Sequence, residues 1–79
     1  MEDIRTIVEK RHSKSVDNNF TYHAPKPGQA ERYQTIREIA KGLAMFIEDH
    51  CPESRERSLA MTNLEQAVMW ANAAIARNE

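Results

Sequence analysis

Residues 58–76, with the sequence SLAMTNLEQAVMWANAAIA, decide the fold of this chain. They contain one charged side chain, Glu65, and neither glycine nor proline, which favours a helix. Four alanines and one leucine form one helical stripe: Ala60, Leu64, Ala67, Ala71 and Ala74. Larger apolar side chains cover most of the remaining surface: Leu59, Met61, Val68, Met69, Trp70 and Ile75. A helix that is apolar nearly all round must be buried nearly all round.

The chain is too small to bury such a helix by itself. It has 79 residues, enough for one small domain at most. Its one cysteine, Cys51, excludes an internal disulfide framework, and no Cys-x-x-Cys or His-x-x-x-His spacing indicates zinc. We therefore expect neither a metal nor a cofactor, and the sequence predicts an obligate homo-oligomer.

The charge balance excludes several kinds of partner. Eleven basic and twelve acidic residues give a formal net charge of −1, which argues against binding to DNA or RNA polymers. No apolar run reaches the roughly 18 residues that a membrane span needs. The first residues are charged and lack the apolar stretch of a signal peptide. These features, with the unpaired cysteine, predict a cytoplasmic protein without a membrane partner.

The pattern predicts an all-α fold in two parts. Residues 1–19 are expected to form a short helix, over 2–11, followed by a polar, turn-prone linker, SKSVDNN, at 13–19. Residues 20–79 are expected to form a long antiparallel helical hairpin. Its first segment, FTYHAPKPG at 20–28, has two prolines and a glycine and is expected to be extended or looped.

Two long helices make up the predicted hairpin. The first runs from Gln29 to about Asp49 with a stripe at helical spacing: Tyr33, Ile36, Ala40, Leu43 and Ile47. Residues 50–53 break the pattern, and Ser54 is a suitable N-cap for a second helix from about Arg55 to Arg77. The short connection makes these helices antiparallel neighbours.

Cations and aromatic rings gather at the open end of this hairpin, where residue 77 is expected to return to the loop at 22–26. The predicted group is Tyr22, His23, Lys26, Arg32, Tyr33, Arg37, Trp70, Asn72 and Arg77. Cations that pair with phosphate oxygens and rings that stack on bases suit a phosphorylated, base-bearing ligand. The same spacing also fits a hairpin in which Tyr33 and Trp70 pack in the core and the arginines are solvated.

Several longer motifs resemble one known family. They are FTYHAP at 20–25, QxxRYxxIRxxAK at 29–41, PxSRExSLA at 52–60 and AVMWANAAIARN at 67–78. Together they resemble the helical hairpin domain of phage anti-CBASS cyclic oligonucleotide sponges, which a group of anti-Thoeris sponges shares. The resemblance covers residues 20–78, and the length is similar to the compact anti-CBASS form.

The resemblance implies binding without catalysis. Such proteins assemble into compact homo-oligomers, described as hexamers, and sequester cyclic oligonucleotides in the cytoplasm of the infected host. For cyclic dinucleotides the resemblance implies a stacking role for Tyr22 and a phosphate contact from Arg37 or Lys41. The full expected dinucleotide set is Tyr22, His23, Lys26, Tyr33, Arg37 and Lys41. A cyclic trinucleotide site is expected to include Asn72 and Arg77.

Three alternatives remain open at this stage. The chain could be an oligomeric adaptor or structural phage protein that binds another protein, or a sponge for ADP-ribose-type Thoeris signals. The third alternative is an enzyme that degrades the messenger. The sequence disfavours an enzyme, because phosphodiester hydrolysis usually needs a metal or a positioned acid–base pair, and neither is visible. Glu65, the one charge in 58–76, is expected to form a salt bridge with Arg37 or Lys41.

Overall fold

The computed structural model describes residues 13–79, and all regular structure within that range is helical. Helix α1 spans Lys14–Asn19, α2 spans Gln29–His50 and α3 spans Arg55–Asn78. The two long helices pack against each other as an antiparallel hairpin. The all-α expectation is therefore confirmed for the described part of the chain. The helix expected over 2–11 lies outside the described residues.

Residues 14–19 form helix α1, so the interpretation of residues 13–19 as a turn-prone linker was wrong. The Ser13 hydroxyl accepts a hydrogen bond from the Val16 amide at 3.2 Å, which caps the helix start. Asp17 lies in the first turn, where a negative charge interacts favourably with the helix dipole. The helix is held by its cap and not by an apolar stripe, so its sequence lacks the periodicity that indicates a helix.

The entry into α2 depends on Gly28. This residue has a φ of 85°, in the left-handed region that glycine adopts without steric cost. The turn is closed by the Gln29 amide, which donates to the Lys26 carbonyl at 3.0 Å. In return the Gln29 side-chain oxygen accepts from the Lys26 amide at 2.9 Å. Gln29 is thereby fixed at the open end of the hairpin.

The closed end is held by a cap and by one arginine. The Ser54 hydroxyl accepts from the Arg57 amide at 3.1 Å, which confirms the predicted N-cap of α3. The Arg57 guanidinium donates to the carbonyls of Glu48 at 3.3 Å and Cys51 at 3.2 Å. It thereby satisfies carbonyls at the end of α2 that have no partner within the helix.

The contact between the long helices follows the predicted spacing with one change. The half-buried residues of α2 are Tyr33, Ile36, Ala40, Ala44 and Ile47. Those of α3 between its ends include Met61, Leu64, Val68, Ala71 and Asn72. Leu43, predicted for this stripe, is 49% exposed, and Ala44 takes its place. A spacing of four residues, from Ala40 to Ala44, fits the 3.6-residue helical turn as well as a spacing of three, from Ala40 to Leu43. The sequence alone therefore did not show which of Leu43 and Ala44 is half-buried.

The hairpin has no apolar core of its own. Within residues 13–79 no apolar side chain is buried, and Gln29, 3% exposed, is the one buried residue. Ile39 is 69% exposed on α2, and Met69 is 67% exposed on α3. This confirms that a single hairpin does not cover its apolar surface, and the oligomer stays a prediction. None of the helices described here is long and apolar enough to cross a membrane.

Candidate functional site

Glu79 closes the open end of the hairpin. Its carboxylate accepts two hydrogen bonds from the Arg32 guanidinium, one of 2.8 Å between Nη1 and Oε2, and a third from Gln29 Nε2 at 3.3 Å. Its backbone carbonyl accepts a hydrogen bond from Lys26 Nζ. The hydrogen bonds from Arg32, and then from Gln29, lower the pKa of Glu79 to about 2. Glu79 therefore joins the 20–28 loop, the first turn of α2 and the end of α3.

Arg77, two residues before Glu79, contacts α1 instead of this cluster. Its backbone carbonyl accepts a hydrogen bond from Asn18 Nδ2 at 2.8 Å. Residue 77 was expected to return to the loop at 22–26. Glu79, two residues further along the chain, makes that contact instead, with Lys26. The sequence did not indicate Asn18 as a site residue, because it lies in the stretch interpreted as a linker.

Asn18 also connects α1 to the 20–28 loop. Its backbone carbonyl lies 2.8 Å from His23 Nε2, so the imidazole donates through a protonated Nε2. His23 is half-buried by this arrangement. Asn18 thus contacts two predicted site residues, His23 through its imidazole and Arg77 through its backbone carbonyl.

A cleft of about 550 Å³ lies between α1 and the last turns of α3. Its charged and aromatic lining consists of Lys14, Trp70 and Arg77. The Arg77 guanidinium carbon lies 6.0 Å from the centroid of the Trp70 ring, at the outer limit of a cation–π contact. Trp70 is 65% exposed and so is not a core residue of the single chain.

A second groove, of about 420 Å³, runs between α2 and α3. Both candidate phosphate-binding cations, Arg37 and Lys41, line it together with Glu65. The rest of the lining is apolar: Ala40, Ala44, Met61, Leu64, Val68 and Met69. No ion pair joins Glu65 to either cation within residues 13–79, and Arg37 donates instead to Gln34 Oε1 at 3.2 Å.

Two tyrosines expected at the dinucleotide site lie apart from this groove. Tyr22 is 84% exposed and does not line the groove that contains Arg37 and Lys41. Tyr33 is half-buried on α2 and does not line it either. Within one chain the structure brings the two candidate cations together, without the ring that was expected to stack on a base.

Asn72 carries a polar atom that has no partner. The residue is half-buried on α3, and its Oδ1 is buried without a hydrogen bond in the described part of the chain. Leaving such an atom unpaired costs about 1–3 kcal/mol, so a donor supplied from outside the chain is favoured there. Asn72 does not line the cleft that contains Arg77. One chain therefore does not combine the two expected trinucleotide residues.

A comparison with known protein families identifies the family of this helical hairpin. The sequence model of the Acb2/Tad1 hairpin domain matches residues 12–76. The chain belongs to this family, which is the anti-CBASS and anti-Thoeris sponge family that its motifs resemble. The family indicates a small helical phage sponge that binds signalling nucleotides rather than cleaving them. No curated protein and no solved structure matches the chain.

The family match begins earlier than the motifs suggested. It starts at residue 12, whereas the quoted motifs start at Phe20. The matched range therefore includes α1, which packs its Asn18 against Arg77. Within residues 13–79 no group of histidine, cysteine, aspartate and glutamate side chains is arranged to hold a metal ion.

Proposed function

We propose that this protein is a phage anti-defence sponge that sequesters cyclic oligonucleotide second messengers and thereby blocks activation of CBASS effectors. It acts in the cytoplasm of the infected host, binds the messenger without cleaving it and uses no cofactor. The observation that carries the proposal is the match of residues 12–76 to the Acb2/Tad1 hairpin domain. Sequestration needs no chemistry, only pockets that present cations and rings to phosphates and bases.

The cyclic dinucleotide site is proposed to form between protomers. The groove beside Arg37 and Lys41 supplies cations and an apolar floor, and the exposed Tyr22 ring supplies a stacking surface. Because these parts are separate within one chain, the Tyr22 loop of one protomer is proposed to cover the groove of its partner. His23, Lys26 and Tyr33 complete the proposed set near the loop.

The cyclic trinucleotide site is proposed to form near the helix ends, where copies of Arg77 converge. Several guanidinium groups around a symmetry axis suit a ring of phosphodiesters, which carries one negative charge for each nucleotide. Asn72 is included in this proposal because its buried Oδ1 favours a donor from outside the chain.

The proposed assembly is a compact homohexamer. Its support is the exposed apolar surface of the single hairpin, which includes Ile39, Phe46 and Met69. Surface of this kind is covered in stable oligomers, where the centres of the interfaces are depleted in charge.

An ADP-ribose-type Thoeris signal is the second candidate ligand, because the hairpin domain is named for both kinds of sponge. Such a molecule carries the same combination of phosphates and base.

One experiment separates a sponge from an enzyme and from an adaptor. The protein is incubated with a cyclic dinucleotide, a cyclic trinucleotide or an ADP-ribose-type signal, filtered, denatured by heat and assayed by chromatography. Intact nucleotide that appears in the filtrate only after heating supports the sponge. A linear product would show an enzyme, and nucleotide that is free before heating would leave the adaptor as the better explanation.

A further inference from the structure

We propose that α1 forms one wall of the nucleotide site: Lys14 binds a ligand phosphate across the cleft from Arg77, and Trp70 stacks on a base. This inference rests on the proposed function, and it adds two ligand-binding residues, Lys14 and Trp70. It also assigns a positioning role to Asn18, in the helix that the sequence did not reveal.

The size of the cleft between α1 and α3 suits a nucleotide. Ligand pockets in proteins range over about 300–1,000 Å³. The cleft measures about 550 Å³ and is therefore large enough for one base with its sugar and phosphate. It is open to solvent, and Trp70 in its lining is 65% exposed.

The charge of the cleft selects an anion. Lys14 contributes an ammonium group from α1, and Arg77 contributes a guanidinium group from α3. The other polar lining residues are neutral: Ser15, Asn18, Asn19 and Asn78. Among residues 13–79 no carboxylate lines the cleft, and Asp17, on the same helix, lines a separate shallow pocket beside His23. Within the described part of the chain, a phosphate group would therefore meet two cations and no opposing negative charge.

Trp70 supplies the aromatic surface that a base requires. Trp70 lines the cleft, and the Arg77 guanidinium carbon lies 6.0 Å from the ring centroid. At that distance the arginine only borders the ring. A base stacked on the indole would remain beside Arg77, which is the arrangement that a phosphorylated nucleoside needs.

Asn18 fixes the geometry of this wall. Its side chain donates to the Arg77 carbonyl at 2.8 Å, and its backbone carbonyl accepts from His23 at 2.8 Å. Lys14 lies one helical turn before Asn18 and lines both the cleft and the shallow pocket beside His23. The orientation of α1 therefore determines where the Lys14 ammonium group lies relative to Arg77.

The test uses Trp70 as its reporter, since it is the one tryptophan in the chain. The full-length protein is titrated with a cyclic adenosine trinucleotide and with a cyclic dinucleotide, and binding is followed by tryptophan emission and by calorimetry. We expect saturable quenching of Trp70 emission by at least one of them. Lys14→Gln is expected to weaken that ligand about tenfold or more, through loss of a charge-assisted contact.

Arg55→Gln is the matched control. Arg55 is an exposed cation at the other end of α3, and its removal is expected to leave affinity unchanged. Wild-type affinity in Lys14→Gln, or calorimetric binding without any change in Trp70 emission, would overturn this inference while the sponge stands. Emission that changes with protein concentration alone, with unchanged affinity in Lys14→Gln, would show that a second copy covers the cleft, and this also overturns it. Absence of any calorimetric binding to the wild type would instead remove the proposed function itself.

Discussion

The carboxylate of Glu79 is held by the guanidinium of Arg32, through two hydrogen bonds that join residues 47 positions apart in the chain. One of these bonds measures 2.8 Å, between Nη1 and Oε2. Both side chains are exposed to solvent, so the pair adds little to stability at physiological salt. The pair marks which end of α3 lies beside the first turn of α2.

The first prediction concerns the pH dependence of this ion pair. The pKa of Glu79 is lowered from 4.5 to about 2, so the folded state favours the ionised carboxylate. The stabilising contribution is therefore complete above pH 4.5 and is lost as the pH falls towards 2. An NMR titration should place the Glu79 midpoint well below 4.5 in the wild type and closer to 4.5 in Arg32→Gln, where the hydrogen bond from Gln29 still lowers the pKa. Arg55→Gln should leave the midpoint unchanged, and an ordinary midpoint in the wild type would contradict the pairing.

The second prediction concerns self-association. Met69 is 67% exposed in the single chain, so Met69→Glu is tolerated by the hairpin but places a charge in the proposed interface. An unpaired buried charge costs several kcal/mol, so the association constant should fall at least about a hundredfold. Sedimentation velocity should show smaller species for Met69→Glu, with the helical circular dichroism retained. Ala71→Glu also tests the oligomer, but Ala71 is half-buried within the chain, so its effect combines dissociation with unfolding.

Gln66→Glu is the control for Met69→Glu, since it introduces the same charge at an exposed polar position of the same helix. We expect it to leave the oligomer intact. A folded wild-type monomer at micromolar concentration would contradict the predicted oligomer.

The third prediction concerns the Tyr22 ring. Loss of one base stack costs about 1–3 kcal/mol, so Tyr22→Ala should weaken cyclic dinucleotide binding about tenfold or more. Tyr22→Phe keeps the ring and should bind within about twofold of the wild type. Because Tyr22 is 84% exposed in the single chain, neither change should unfold the hairpin. Calorimetry that finds full affinity in Tyr22→Ala would remove this residue from the site.

The fourth prediction separates Arg37 from Lys41. Both line the groove between α2 and α3, and only one of them needs to contact the phosphate. Arg37→Ala should weaken dinucleotide binding at least about tenfold, because a guanidinium makes two parallel contacts with a phosphate. Arg37→Lys should restore part of that loss, whereas Lys41→Ala should have a smaller effect. A larger loss in Lys41→Ala than in Arg37→Ala would reverse the assignment.

The fifth prediction concerns Arg77 and the trinucleotide site. Arg77→Ala removes the guanidinium but keeps the backbone carbonyl that accepts from Asn18. Trinucleotide binding should therefore fall below detection while the fold and the dinucleotide site are retained. As a helix-terminal cation, Arg77 contributes about 0.3–1 kcal/mol to the stability of the free protein. Equal loss of both ligands in calorimetric titrations would show one shared pocket, and no loss of either would leave Arg77 with that stabilising role alone.

The sequence by itself determined the two long helices and their connection. Apolar spacing predicted α2 from Gln29 to about Asp49, and the helix ends at His50. Ser54 was predicted as the N-cap of α3, and its hydroxyl accepts from the Arg57 amide. These features depend on interactions between residues three or four positions apart, which is why local sequence is sufficient to specify them.

Tertiary structure alone decided which residues meet at the open end of the hairpin. The contacts of Glu79 with Lys26 and Arg32, and of Asn18 with Arg77, join positions at least 47 residues apart. A shift of one or two residues in the pairing of the helices exchanges Arg77 for Glu79 opposite the loop, and no local pattern fixes that register. Helix α1 also needed the structure, because its six residues are stabilised by the Ser13 cap and by contacts with α3 and the loop. Side-chain contacts over such distances depend on the packing of whole helices, so they become visible only when the helices are in place.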